Sequence, residues 1–101
     1  MKPSNAPWID SATLDEFRAG ALASGYDEAI ERVWAPNTVL ETHTHPFDVQ
    51  AVVVQGEMWL DDAEGSRHLC AGDHFTLARD TPHSERYGAE GATYWVARKG
   101  V

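Results

Sequence analysis

His43 and His45 stand one residue apart in the stretch Glu41-Thr-His-Thr-His-Pro-Phe47. On a β-strand such an i, i+2 pair projects both imidazoles from one face, with Cα atoms about 6.5 Å apart. Two ring nitrogens so placed can converge on one cation at about 2.0–2.1 Å each, the reach of a first-row divalent metal. A third histidine, His83, follows 38 residues after His45. A fold that returns it to the same face makes a three-imidazole metal site, and the chemistry of that metal is then the activity to expect. Without that return the pair reads as two solvent-facing or core histidines with no ligand.

The surrounding residues sort as a strand sorts its faces. Val39, Glu41 and His43 share one parity while Leu40, Thr42 and Thr44 share the other. Pro46 ends the strand because it has no N–H to pair. The run Val49-Gln-Ala-Val-Val-Val54 reads as the next strand, turning at Gly56 into a third that starts at Glu57. Over the whole chain, strands are expected at residues 29–35, 38–44, 49–54, 57–60, 66–69, 74–78, 83–87 and 93–98. Turns separate them at Pro36-Asn37, Gly56, Glu64-Gly65, Ala71-Gly72, Asp80-Thr-Pro82 and Gly88-Ala-Glu-Gly91. Upstream, residues 11–24 read as one helix, with Thr13-Leu-Asp-Glu16 as a capping box and Gly25 as the stop. Leu14, Phe17, Ala21 and Leu22 share one side of it, which predicts packing on the strands. Short strands with this punctuation predict an all-β sandwich or barrel at residues 27–101, preceded by an N-terminal extension, residues 1–26, that carries the helix.

Strand, His-x-His, short loop, apolar strand and glycine together resemble the first motif of the cupin superfamily. From His45 to Gly56 the spacing HPFDVQAVVVQG fits the cupin form with three residues between the second histidine and the glutamate ligand. The stretch Ala71-Gly-Asp-His-Phe-Thr-Leu-Ala-Arg-Asp-Thr-Pro-His-Ser-Glu85 is similar to the second motif, in which a glycine-aspartate turn leads into a strand. There the histidine eleven residues after the glycine supplies the remaining imidazole, and His83 holds that place relative to Gly72. The resemblance spans Ala35 to Arg98, about two thirds of the chain. It implies a cupin-type double-stranded β-helix, the jelly-roll answer to exposed sheet edges. It also implies one divalent metal on His43, His45 and His83, and a homodimer.

The departures bear on the ligand set. Val49 stands where the motif carries its glutamate, and it ligates nothing. Gln50 offers an amide oxygen but lies one step out of register, so only a bulge would turn it to the histidine face. It is carried as a candidate fourth ligand on that condition. Glu85 is two residues past His83 and on its face, a candidate ligand or hydrogen-bond partner for an imidazole; the plainer reading is a rim carboxylate. Asn37, Ala78, Asp80 and Tyr87 also depart from the motifs, at positions that touch no metal in the family.

Phe47, Val53, Trp59 and Phe75, with Tyr94 or Trp95, are the candidate apolar lining, although alternation must turn about half of such residues away. Gln50 and Arg79 are candidates to orient a substrate. Such a cavity suits a small hydrophobic or aromatic carbonyl compound. The expected activity is a metal-dependent reaction on a small molecule, dioxygenase-like or isomerase-like, with substrate chelating the ion. The alternatives are a non-catalytic ligand-binding or sensing barrel, and a barrel that holds no metal. Iron, zinc, nickel, manganese and copper all suit imidazole.

Composition bounds the rest. A chain of 101 residues allows one domain. Eight basic residues are scattered among sixteen acidic ones, a net charge of −8, which disfavours nucleic acid as a partner. No apolar run approaches the roughly 18 residues of a membrane span, and the first residues lack the apolar core of a signal peptide. A cytoplasmic location is the expectation. Cys70 is the sole cysteine, so no disulfide forms within the chain, and its place at an apolar strand end predicts a small buried hydrophobe. His68 reads as a surface residue and His74 as a variable position after the turn; neither is expected to ligate.

Overall fold

The computed structural model describes residues 7–101. Six strands follow one another: β1 (Glu28–Trp34), β2 (Val39–His43), β3 (Asp48–Asp62), β4 (Gly65–Cys70), β5 (His74–Leu77) and β6 (His83–Lys99). A 3₁₀ turn (Pro7–Asp10) and a helix, α1 (Leu14–Ala23), precede them. All strand pairings are antiparallel.

β3 and β6 lie side by side along most of their length and belong to both layers of the barrel. Residues 48–53 of β3 pair with residues 94–99 of β6. β5 extends this layer beyond β3, and β1 extends it beyond β6. Residues 58–61 of β3 pair with residues 84–87 of β6, and there β4 and β2 take the flanking places. Between the two halves the register slips twice, at Val53/Gln55 and at Gly56/Met58. Such bulges bend a strand and raise its twist, and here they fold one continuous sheet into two facing layers.

The slips also exchange which parity faces inward. Val49, Ala51 and Val53 are buried in the main core before the bend, Met58 and Leu60 after it. On β6, Tyr87 points inward before residues 88–91, and Ala92, Tyr94 and Val96 do so after them. The eight expected strand segments are therefore present, but Gly56 and the stretch Gly88–Gly91 are bends inside long strands where breaks were expected. β4 runs one residue past its expected end. Leu69 turns inward and Cys70 outward, so the cysteine is exposed where a buried one was expected.

The helix is shorter than expected and starts after its cap. The Thr13 hydroxyl oxygen accepts from the Glu16 N–H at 3.2 Å, and the Glu16 carboxylate reaches back to the Ala12 N–H. At the other end Tyr26 N–H donates to the Ala21 carbonyl and Gly25 N–H to that of Leu22, a Schellman closure. Phe17 and Ala21 are fully buried with Trp8, Ile9, Ala29, Val52 and Ala97 on the outer surface of the first layer. Leu22, expected on the packed side, is 47% exposed. Removing a ring like that of Phe17 costs about 3–5 kcal/mol, a large part of the roughly 5–15 kcal/mol that holds a domain folded. Asp10 adds a tether, its carboxylate 2.6 Å from His74 Nε2 on β5.

Gly56 is the tightest point of the bend. Its φ is +79°, and a methyl group there would lie 2.2 Å from the Gly91 carbonyl oxygen. Gly72 has a φ of +96° with no atom close enough to meet an added methyl. Gly56→Ala is expected to cost about 2 kcal/mol or more, from conformational strain plus the clash, and to lower Tm by on the order of 10 °C. Gly72→Ala carries the strain alone. Equal losses in thermal denaturation would show that the close approach of β3 to β6 is not what holds the bend.

Candidate metal centre

β2 pairs with the first half of β6 so that His43 lies opposite His83. Their ring centroids are 4.3 Å apart. β2 ends at His43, one residue sooner than expected, and His45 stands just beyond it. Its ring is held by Phe47, stacked at 5.0 Å with an interplanar angle of 16°. From there its centroid is 4.9 Å from that of His43 and 5.1 Å from that of His83. The fold thus brings together the three imidazoles singled out by their spacing.

Backbone carbonyls set the tautomers of two of them. His43 Nδ1 is 2.6 Å from the carbonyl oxygen of Glu41, and His83 Nδ1 is 2.8 Å from that of Thr81. A carbonyl oxygen can only accept, so each Nδ1 donates to it, and in the neutral ring each Nε2 presents a lone pair. His83 is 2% exposed, and its Nε2 is buried without a hydrogen-bond partner. His45 has its pKa lowered, first by burial and then by repulsion from His83 and His43, which keeps its ring a neutral donor.

Glu85 completes the group. It is 5% exposed, with Oε2 lying 3.3 Å from His43 Nε2 and 3.2 Å from His83 Nε2. Its other oxygen, Oε1, accepts from the Tyr87 hydroxyl. Burial, with the Tyr94 hydroxyl and the Glu85 charge after it, pushes the Tyr87 pKa far above its ordinary value, so the phenol remains a donor. The plainer reading of Glu85 as a rim carboxylate is therefore corrected: positions 83, 85 and 87 all face inward in the first half of β6.

Both contacts of Glu85 Oε2 are at ion-pair distance; with the rings neutral the carboxylate oxygen meets two lone pairs, and a cation among them would turn that repulsion into coordination. Donors bound at about 2.0–2.1 Å stand about 3.0–3.4 Å apart, the separations found here. All four donor atoms lie within 4.8 Å of one another. The residues fit a divalent ion that favours imidazole and carboxylate.

Val49 lines the cavity at the place of the motif's glutamate, and the carboxylate comes instead from β6. Gln50 is not brought to the centre. No register slip occurs before Val53, so Gln50 keeps the opposite face, where its Oε1 accepts from the Tyr26 hydroxyl at 2.8 Å. Phe47 and Phe75 line the cavity as expected. Val53 is fully buried in the main core but lies outside the lining. Trp59 is on the outer face, stacked on His68 at 4.6 Å, because the parity exchange at Gly56 turns it away. Tyr94 faces in, whereas Trp95 faces out and donates to Glu31. Arg79 is exposed and donates to the Gly100 carbonyl.

Two arginines line the cavity that sequence reasoning did not single out, Arg32 and Arg98. The signal was present. Arg32 falls between Ile30 and Trp34 on the inward parity of β1, and Arg98 follows Tyr94 and Val96 on that of β6. Each guanidinium is carried on a ring, Arg32 at 4.6 Å over Trp34 and Arg98 at 5.1 Å over Phe47. Arg98 also pairs with Glu28 at 3.0 Å. The cavity itself is small, about 90 Å³.

No family model matches the sequence, and no curated protein matches it. Solved structures do. A cupin domain of an XRE-family transcriptional regulator from Enterobacter cloacae superposes with a TM-score of 0.64 at 17% identity, covering 78% of this chain and 86% of that one. An RmlC-like cupin from Shewanella frigidimarina gives 0.64 at 18% identity, over 75% and 68% of the two chains. The DMSP lyase DddQ from Ruegeria pomeroyi gives 0.68 at 21% identity over 75% of this chain, which spans only 39% of the lyase. Two facing antiparallel layers, a histidine cluster at one end between them and these likenesses lead to one statement: this chain forms a barrel of the cupin fold.

Proposed function

We propose that His43, His45, His83 and Glu85 hold one divalent metal ion, and that the cavity above it takes a small anionic carbonyl or carboxylate compound for a metal-dependent reaction. The observation that carries this reading is the buried, unpartnered Nε2 of His83, 3.2 Å from a carboxylate oxygen. When bound, the ion would supply Lewis acidity and a template for an oxygen-donor substrate.

The chain's own groups define what can enter. Arg32 and Arg98 place positive charge on the cavity wall and suit a carboxylate. Trp34, Phe47, Phe75 and Leu77 exclude water, which strengthens every charge interaction inside. A volume of about 90 Å³ is well below that of drug-sized pockets, which hold about 300–1,000 Å³. It takes a compound of few atoms, or the reacting end of a longer one. The Tyr94 pKa is raised, first by burial and then by the Glu85 charge, so its hydroxyl serves as a hydrogen-bond donor and not as a base. With Glu85 Oε1 accepting from Tyr87, and Glu85 Oε2 and the three imidazoles given to the ion, the cavity lining holds no free base. Isomerisation needs one and oxygenation does not, which favours the dioxygenase-like reaction of the two.

The same lack of a free base supports a second reading, a barrel that captures or senses a ligand without turning it over. The similar cupin domain of a transcriptional regulator is in keeping with that use, and the similar DMSP lyase with the enzymatic one.

Elemental analysis of the purified protein is expected to find about one divalent ion per chain, held at a tetrahedral or octahedral imidazole site. His83→Ala should reduce it to background, and Glu85→Gln should weaken affinity about 10–100-fold while the far-ultraviolet spectrum is kept. A protein that takes up no metal, and whose Tm is unmoved by His43→Ala, has no such centre. The iron-loaded protein should consume oxygen with a member of a panel of diketones, thiols and catechols. A retained metabolite without turnover selects the sensing reading.

Arg98→Gln is expected to weaken binding of pyruvate by about tenfold or more, the scale of a charge-assisted hydrogen bond, while leaving its amide almost unaffected. Calorimetry showing equal losses for both would remove the anion from this proposal.

A further inference from the structure

The outer face of the second layer carries another set of metal-ligating groups. Glu57 on β3 is directly opposite Cys70 on β4, and Trp59 is opposite His68. Their inward neighbours Met58 and Leu69 are buried, so these four side chains share the outward face. His68 lies flat on Trp59, at 4.6 Å and 11°, and the Arg86 guanidinium sits 4.7 Å over the same indole. The imidazole is thereby held edge-on to its two other neighbours. Glu57 Oε1 is 2.7 Å from His68 Nε2, and Cys70 Sγ is 3.7 Å from that same nitrogen.

That both neighbours meet one nitrogen decides what the group can do. A thiol–imidazole–carboxylate relay places the imidazole between thiol and carboxylate, one at each ring nitrogen. Here a proton cannot be relayed from sulfur through the ring to Glu57, because both stand at Nε2. Three donors converge on one point instead, all within 4.8 Å of one another. A tetrahedral ion with about 2.3 Å to sulfur and about 2.0–2.1 Å to nitrogen sets those two donors about 3.6 Å apart, against the 3.7 Å present; it would also part His68 Nε2 and Glu57 Oε1, which stand at hydrogen-bond distance, 2.7 Å, by about 0.6 Å. Glu57 is itself seated. A methyl group on Gly88 would meet its Cγ at 2.6 Å and its Oε2 at 2.9 Å, so the carboxylate arm lies in the space that a side chain at position 88 would fill.

We propose that Glu57, His68 and Cys70 form a second metal site, on the barrel exterior, for a zinc-class divalent ion with water in the remaining position. Thiolate, imidazole and carboxylate on one centre are the donor set such an ion takes. On binding, the Cys70 thiol gives its proton to the buffer and its sulfur becomes a ligand. The proton that His68 Nε2 donates to Glu57 leaves that nitrogen and the ring keeps its proton on Nδ1, so that Nε2 and the carboxylate oxygen are both free to ligate. This site shares no residue with the histidine centre inside the barrel and does not depend on it.

The test is a cobalt(II) titration of the full chain, freed of metal by chelator and kept reduced. Because Cys70 is the sole cysteine, a thiolate-to-cobalt absorption band in the near ultraviolet reports this site alone. The band should appear and saturate, persist in His83→Ala, vanish in Cys70→Ser, and need about tenfold or more metal in His68→Gln or Glu57→Gln. Zinc should bleach it and slow alkylation of Cys70 by iodoacetamide about tenfold or more, reversibly with chelator. No band at saturating cobalt, or alkylation indifferent to zinc, overturns the proposal. So does a band whose affinity is unchanged in both His68→Gln and Glu57→Gln, since the thiol would then be binding by itself.

Discussion

The antiparallel pairing that sets His43 across from His83 is the contact on which the barrel's chemistry rests. The two residues are 40 positions apart, and closing a loop of that size costs entropy before any contact repays it. The intervening chain is what makes closure favourable. β3, β4 and β5 form within it and bury Val53, Met58, Leu60 and Leu69 in the core that the two layers share. β6 then serves both layers, reaching β1 with its second half and β2 with its first. A straight β6 could not do this. The bend at residues 88–91, matched by the bulges around Gly56 in β3, carries His83 and Glu85 across to the histidines of the first motif.

An apolar barrel end is a costly place for a carboxylate and several imidazoles. The distribution of hydrogen bonds shows which atoms the fold satisfies. His43 Nδ1 and His83 Nδ1 have backbone carbonyls, and Glu85 Oε1 has the Tyr87 hydroxyl. The atoms left to face one another are His43 Nε2, His83 Nε2 and Glu85 Oε2. Among the described residues three buried side-chain nitrogens have no hydrogen-bond partner, Trp8 Nε1, Trp34 Nε1 and His83 Nε2, and the last of them faces a carboxylate oxygen at 3.2 Å; such exceptions concentrate at functional sites. A metal ion held by such a group would couple binding to folding, because it would stabilise the native arrangement and have little to hold in the unfolded chain.

Much of this could be read from residue order, and what could not shares one cause. The positions of all eight strand segments, the cap at Thr13, the stop at Gly25 and the three histidines follow from periodicity, turn residues and motif spacing. Inward parity does not, because it reverses at each bulge while the sequence pattern continues. Extending the parity of Val53 through Gly56 puts Trp59 inside, and the slip puts it outside against His68. Gln50 shows the converse, since no slip precedes it and it stays on the far face with Tyr26. Glu85 and Cys70 were legible as residues but not as environments. The first needs the inward parity of β6, and the second needs β4 to run one residue further than its apolar run. Arg32 and Arg98 each sit in step with inward apolar residues, a pattern visible before folding whose meaning depends on knowing which face is the cavity.

Charge adds a last constraint on what the cavity admits. The chain carries sixteen acidic and eight basic residues, so its overall field repels anions. At physiological ionic strength that field is screened over about 8 Å, far less than the 27–33 Å extent of the molecule. A ligand near the barrel mouth therefore responds mainly to the groups lining it, and there Arg32 and Arg98 stand against Glu85. Glu28 already offsets part of the Arg98 charge. The positive charge available there is limited to those two guanidinium groups and whatever the histidine centre would hold. On the proposed reading, two guanidinium groups set against one carboxylate favour a compound bearing a single negative charge on a small frame.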